Sequence, residues 1–226
     1  MPEFRFALRS TIPVLVGYLV IGVGFGLLIQ QAGYSWWFAL LMSLLVFAGA
    51  AQYLSVGFLT QGAGLAEVAG LTFLLNARHM VYGLSLLEKY KSAGVFKPYL
   101  VFALTDETYA LNAGLVIPKN LEPRKVYFLI SLLDQSYWCL GTVIGALAGS
   151  MIPFPLEGID FALTALFTVL VAEQWQQHKK KMPFFIGLAV SVLSLVFLGP
   201  SGMLLPSIAS GFLALLLVKG RLPVEE

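Results

Sequence analysis

Four stretches of an otherwise apolar sequence carry side chains able to bind a charged group or pass a proton. Asn76, Arg78 and His79 place an amide, a guanidinium and an imidazole within one helical turn. Asn76 and His79 are three apart and share a helix face, whereas Arg78 points about 200° around from Asn76. That spacing suits a polar cavity lined by Asn76 and His79, with Arg78 paired to a protein or substrate carboxylate. The plainer alternative is that all three satisfy one another and neighbouring carbonyls. Thr105-Asp106-Glu107-Thr108-Tyr109, with Asn112 one turn on, sets two carboxylates side by side. In a low-dielectric place adjacent carboxylates resist ionising together, a property that proton coupling can use. The alternative there is a helix interrupted near an aqueous interface, with both acids solvated or one paired with Arg78. Phe47-Ala48-Gly49-Ala50-Ala51-Gln52-Tyr53 runs four small residues into an amide. This fits either a close crossing bridged by Gln52 or an unwound helix whose backbone groups meet a substrate. Asp134-Gln135 is the deepest remaining polar pair, while Glu67 and Glu173-Gln174 fall near segment ends, where solvation is the default.

The elements that must position these groups follow from composition. Of 226 residues, 58% are hydrophobic and 12% charged, against roughly 25% charged in a soluble domain. The apolar runs are about 17–25 residues long, enough to cross a bilayer. They do not alternate, so they read as helices and not as barrel strands. Eight segments emerge: Thr11 to Gln30, Trp36 to Leu59, Leu65 to Leu87, Phe96 to Ile117, Val126 to Ile152, Phe161 to Trp175, Phe184 to Leu198 and Met203 to Val218. Arg5 and Arg9 ahead of the first run resemble a signal peptide. The run is too long for one and no cleavage site stands clearly after it, so it is expected to be the first helix. A single cysteine, Cys139, reads as a small buried apolar residue. The net charge of +2 and the scatter of basic residues at segment ends give no patch for nucleic acid.

Short-loop Lys and Arg set orientation. Arg5 and Arg9, Lys119 with Arg124 and Lys125, Lys179 to Lys181, and Lys219 with Arg221 are expected on the cytoplasmic side. One loop dissents: Lys89, Lys91 and Lys97 fall between segments three and four, which strict alternation puts outside. Either that loop is an exception or segment two or three does not cross fully. The first and fifth segments carry Gly22-x-x-x-Gly26 and Gly141-x-x-x-Gly145-x-x-x-Gly149, spacings that let helix backbones approach closely. Phe-Ala-Leu at 38–40 and 161–163, with Ala-Gln-Tyr at 51–53 and Glu-Gln-Trp at 173–175, suggests a repeat of halves 1–117 and 126–218. Among the tryptophans, Trp36, Trp37 and Trp175 suit interfacial belts and Trp138 suits internal packing.

Three motifs together, Phe-Ala-Gly-Ala-Ala-Gln at 47–52, Leu-Asn-Ala-Arg-His-Met-Val-Tyr-Gly at 75–83 and Leu-Thr-Asp-Glu-Thr-Tyr-Ala at 104–110, resemble the AzlC family. The resemblance runs from about Phe4 to Arg221, with its specific motifs in the first half. It implies the large permease subunit of a bacterial branched-chain amino-acid exporter. It also implies occasional methionine transport and a separate small hydrophobic subunit of the AzlD type. The motif positions carried over are Gln52, Asn76, Arg78, His79, Asp106 and Glu107.

The expected molecule is therefore an all-α integral membrane protein of the bacterial cytoplasmic membrane. It is one transmembrane domain over 1–226, with seven or eight transmembrane helices, an internal repeat and at least one broken helix. Gln52, Asn76, Arg78 and Asp106 are the expected substrate-binding residues, and His79, Glu107 and Asp134 the proton-coupling ones. No Gly-x-x-x-x-Gly-Lys-[Ser/Thr] occurs, so export driven by the proton gradient is expected and not ATP hydrolysis. No cofactor or metal is expected. A passive channel is the alternative. An intramembrane enzyme using His79, Asp106 and Glu107 is a more remote one.

Overall fold

The computed structural model describes residues 2–151, 168, 171–172, 175–176 and 181–218. Every regular element among them is helical. In chain order the helices are α1 (Pro2–Gln31), α2 (Trp36–Leu45), α3 (Gly49–Gln61), α4 (Leu65–Ser85), α5 (Lys97–Phe102), α6 (Asp106–Gly114), α7 (Pro123–Met151), α8 (Met182–Gly202) and α9 (Leu204–Val218). A 3₁₀ turn at Gly94–Phe96 precedes α5. By length and apolarity alone, Pro2–Gln31 and Met182–Gly199 suffice to cross a membrane among the described residues. The chain divides into two compact units, residues 1–64 with 72–164 and residues 65–71 with 165–226.

The first unit is organised by α1 and α7, which run parallel in close contact. Ala7 packs with Leu121, Val126 and Ile130, Tyr18 meets Trp138 with ring centres 5.5 Å apart, and Gln30 lies against Gly149. The glycine spacings read from the sequence make this approach possible. A Cβ on Gly141 would lie 2.9 Å from the Leu19 carbonyl oxygen, and one on Gly22 3.1 Å from that of Trp138. One on Gly26 or Gly145 would collide with the opposite backbone outright. Thr11 and Tyr137 hydroxyls add a buried hydrogen bond of 3.1 Å along the same seam.

Segments two and four do not run straight through this scaffold. Each is broken in the middle and folds back. α2 starts beside the end of α1, where Ala32, Gly33 and Tyr34 make a tight turn. It then descends until Phe47 stands edge-on to Tyr18, ring centres 6.4 Å apart. Phe47 takes a positive φ of 40° and Ala48 is extended at φ −138°, ψ 88°. These two residues end one helix and aim the next. α3 returns, with Gly49 on the Trp138 ring and the Tyr53 hydroxyl donating to the Ile21 carbonyl at 2.6 Å. Of the two readings of the small-residue run, the structure has both: a helix break and a close crossing bridged by Gln52.

The fourth segment does the same from the opposite end. Phe96 stacks on Phe128 at 4.6 Å, and the Tyr99 hydroxyl reaches further along α7 to the Gln135 side-chain oxygen at 2.7 Å. Residues 103–105 then interrupt the helix. Thr105 is extended at φ −95°, ψ 177° and its side chain accepts from the Thr108 amide, capping α6. α6 runs back, so that Leu111, Leu115 and Ile117 rejoin Ala7, Val126 and Ile130. Of the two readings of this stretch, the structure has the interrupted helix, with Asp106 paired to Arg78.

This fold-back removes the conflict over charge. Lys89 donates to the carbonyls of Asn112 and Ala113 at 2.8 and 2.6 Å, capping the C-terminus of α6. Tyr90 meets Tyr127 at 5.5 Å, so the Lys89–Lys97 loop lies at the end that holds Lys119, Arg124, Lys125 and the start of α1. At that end Glu122 accepts from Lys125 and Arg124, hydrogen bonds that hold its carboxyl below the usual range.

In the second unit α8 and α9 pack together, Gly211 facing Val190, with the chain turning at Gly199 (φ 69°). Phe161–Leu163, Glu173, Gln174, His178, Lys179, Lys180, Lys219 and Arg221 lie outside the described residues. With them lie most of segment six and both stretches of the second half on which the expected repeat was read. Trp36 and Trp37 are about half exposed and Trp138 is buried.

Candidate functional site

The two helix breaks meet at Tyr18. Phe47 of the first hairpin abuts its ring, and Thr105 of the second lies 2.6 Å from its hydroxyl. α3 and α6 both begin here, so two helix N-termini, with their partial positive charge, point into the middle of the unit from opposite ends. The sites read from the sequence fall into three groups around this point.

The first group holds the break in segment two. Gln52 is fully buried, its amide nitrogen donating to Ser43 at 3.2 Å and its oxygen accepting from the Trp138 indole at 2.9 Å. Ser43 in turn donates to Thr142 at 3.1 Å. Both ends of the Gln52 amide are thus used to fix α2 and α3 on α7. The α3 N-terminus has no side-chain cap, and its first three residues, Gly49, Ala50 and Ala51, are small.

The second group joins the two helices that carry the charged motifs. Arg78 Nη2 lies 2.9 Å from Asp106 Oδ2, each side chain about a third exposed. Asp106 sits in the first turn of α6, where the helix dipole favours a carboxylate. Arg78 Nε and Asp106 Oδ1 are buried without a hydrogen-bond partner, so the pair retains capacity for a further polar group. Tyr82 and Tyr109 stack beside it at 4.3 Å. His79 accompanies Arg78 on α4, its Nδ1 3.1 Å from the Asn76 carbonyl oxygen and its ring 5.7 Å from Tyr82. Asn76 is half-buried one turn back.

The third group takes the other acids. Glu107 turns away from its neighbour, accepting from the Tyr18 hydroxyl at 2.7 Å while keeping an exposed face. Asp134 is fully buried and accepts from Thr108 Oγ1 at 2.8 Å. Thr105 Oγ1 lies 3.0 Å from Thr108 Oγ1. The structure therefore brings Arg78 to Asp106, and connects Glu107 with Asp134 through hydroxyls. Gln52 belongs to a separate cluster. No group of three His, Cys, Asp or Glu side chains could hold a metal among the described residues. Tyr18 is the residue that sequence reasoning did not single out, and Thr105 and Thr108 were quoted beside the two acids without a role.

Residues 13–152 match the family described as AzlC protein. The chain is similar to the branched-chain amino acid transport protein AzlC of Bacillus subtilis, 36% identical over 225 residues, 99% of this chain and 87% of that one. It is similar to an uncharacterized membrane protein of Helicobacter pylori (strain ATCC 700392), 39% identical over 98% of this chain and 97% of that one. It also resembles inner membrane protein YgaZ of Escherichia coli, 28% identical over 78% of this chain and 75% of that one. No solved structure matches the chain.

Proposed function

The chain belongs to the AzlC family, and on that premise we propose that it is a secondary transporter. It exports branched-chain amino acids across the bacterial cytoplasmic membrane, with methionine a further candidate substrate. The export is driven by protons and carried out with a small AzlD-type subunit. The observation that carries this reading is the meeting of two broken helices beside the Arg78–Asp106 pair. Discontinuous helices that expose helix ends near the membrane midplane are a recurrent way for transporters to bind charged substrates without burying a net charge.

A zwitterionic amino acid needs a cationic site, an anionic site and an apolar surface. Arg78 takes the carboxylate, aided by the open first turn of α3, in the paired geometry that guanidinium favours. Asp106 takes the ammonium, and Asn76 completes the hydrogen bonds. Without substrate, Arg78 and Asp106 neutralise each other at 2.9 Å. A bound amino acid replaces that one ion pair by two and leaves the net charge unchanged, which keeps the cost of occupancy low in a medium where isolated charge is expensive. Gln52 acts in this scheme by holding the α2–α3 break in place. His79, Glu107 and Asp134 supply the coupling groups.

In the membrane the basic end of the first unit faces the cytoplasm. The hairpin α2–α3 then dips in from outside and α5–α6 from inside, each followed by a long helix, an inverted arrangement suited to alternating access. The test is gradient-driven uptake of labelled leucine by inside-out vesicles. Asp106→Asn and Arg78→Gln are expected to abolish it at wild-type protein level. Wild-type uptake by both removes the pair from the path and defeats the reading.

A further inference from the structure

The polar side-chain atoms between Glu107 and Asp134 form one file. Glu107 Oε2 is 2.7 Å from the Tyr18 hydroxyl, which is 2.6 Å from Thr105 Oγ1. That oxygen is 3.0 Å from Thr108 Oγ1, which is 2.8 Å from Asp134 Oδ2. Tyr18, Thr105, Thr108 and Asp134 are all buried, and Glu107 alone has an exposed face. Five groups make four oxygen–oxygen gaps, each of hydrogen-bond length. The three hydroxyls own three protons. If both acids are ionised, Tyr18 donates to Glu107, Thr108 donates to Asp134, and Thr105 donates to only one of its two neighbours. One gap is then left without a proton. When Thr105 turns to Thr108, that gap is the 2.6 Å contact with Tyr18, the shortest of the four. A single additional proton fills all four.

We infer that Tyr18, Thr105 and Thr108 are a proton relay between Glu107 and Asp134, and that the two acids share one proton. With the proton on Asp134, Asp134 donates to Thr108, Thr108 to Thr105, Thr105 to Tyr18 and Tyr18 to the Glu107 carboxylate. With the proton on Glu107, every bond in the file reverses. Passing between these states moves one proton across each gap, breaks no other bond and leaves the net charge unchanged. The Thr108 backbone N–H donates to Thr105 Oγ1 at 3.2 Å in both, so α6 stays capped while the relay reverses. Asp134 Oδ1 is buried without a partner, and a neutral acid tolerates that deficit far better than a carboxylate does. The resting proton is therefore on Asp134 and the charge on Glu107, which accepts from the Tyr18 hydroxyl. The other ionisable groups that act on the file are Asp106 of α6, beside Glu107, and Tyr99 of α5, near Asp134.

The use of the relay rests on the proton-coupled reading above; the shared proton does not, and the two are tested separately. Infrared spectra of the purified protein in lipid are expected to hold a carboxylic-acid carbonyl band that Asp134→Asn removes and Tyr18→Phe shifts. If neither Asp134→Asn nor Glu107→Gln alters any such band, the shared proton is refuted. In proteoliposomes, Tyr18→Phe and Thr108→Val are expected to lower gradient-driven leucine transport by roughly tenfold or more. Leucine–leucine exchange, which needs no net proton movement, is expected to persist, and Thr108→Ser to restore driven transport. Unchanged driven transport in both variants overturns the relay. So does loss of exchange together with driven transport when Thr108→Ser restores neither, which would mark a purely structural role. A wild type that accumulates leucine against its own gradient equally well without a proton gradient defeats the coupled reading alone, and the infrared result then still decides the shared proton.

Discussion

Arg78 and Asp106 form an ion pair whose worth lies in recognition more than in stability. Taking two charges out of water costs about what their attraction returns, so the pair adds little net stability. Removing one partner strands the other: Arg78→Ala and Asp106→Ala are each expected to abolish export and to lower the melting temperature in detergent, and the double change to cost less than the two single costs summed. Gln52 shows the reverse balance. It is fully buried and satisfies Trp138 and Ser43, so Gln52→Leu strands an indole N–H and is expected to cost about 1–3 kcal/mol, seen as a lower melting temperature. The charged members of the site were legible in the sequence because an ionisable side chain in an apolar run is conspicuous. Tyr18 was not, and Thr105 and Thr108, quoted beside the acids, showed no role of their own. A lone hydroxyl in an apolar helix commonly satisfies itself on the preceding turn, as Ser10 does on the Phe6 carbonyl, and nothing local distinguishes that from a relay.

At the scale of elements, the glycines of α1 and α7 decide how closely the scaffold helices approach. Alanine is the better helix former by about 1 kcal/mol, yet a Cβ on Gly145 would meet the Val23 backbone. Overpacking of that kind costs about 1–3 kcal/mol. Gly145→Ala is therefore expected to lower the melting temperature, whereas Gly187→Ala, with open space around it, is expected not to. The glycine spacings made this seam readable in advance. The fold-back of segments two and four was less so. Length and hydropathy count apolar residues but do not record direction, and the run from Phe96 to Ile117 is as long as a crossing helix. The hints lay in the residues that stop a helix: the small run around Gly49, and Thr105 placed to cap the turn that follows.

On the scale of the whole molecule, doubling back of those two segments puts Arg5, Arg9, Lys89, Lys91, Lys97, Lys119, Arg124 and Lys125 at one end of the first unit. The loops at Ala32 and Ala63 fall at the other. The one loop that dissented from the charge rule in the sequence thus lies at the same end of the first unit as the other basic residues. The proposed path depends on this topology, because only opposed hairpins bring Phe47 and Thr105 together at Tyr18. Single cysteines placed at Ala32, Ala63, Lys91 and Lys119 in a Cys139→Ala background, labelled in intact cells with a membrane-impermeant maleimide, test it most directly. Ala32→Cys and Ala63→Cys are expected to label from outside, and Lys91→Cys and Lys119→Cys only after the membrane is opened. Labelling of Ala32→Cys and Ala63→Cys from opposite sides, or of Lys91→Cys and Lys119→Cys from opposite sides, would contradict the account.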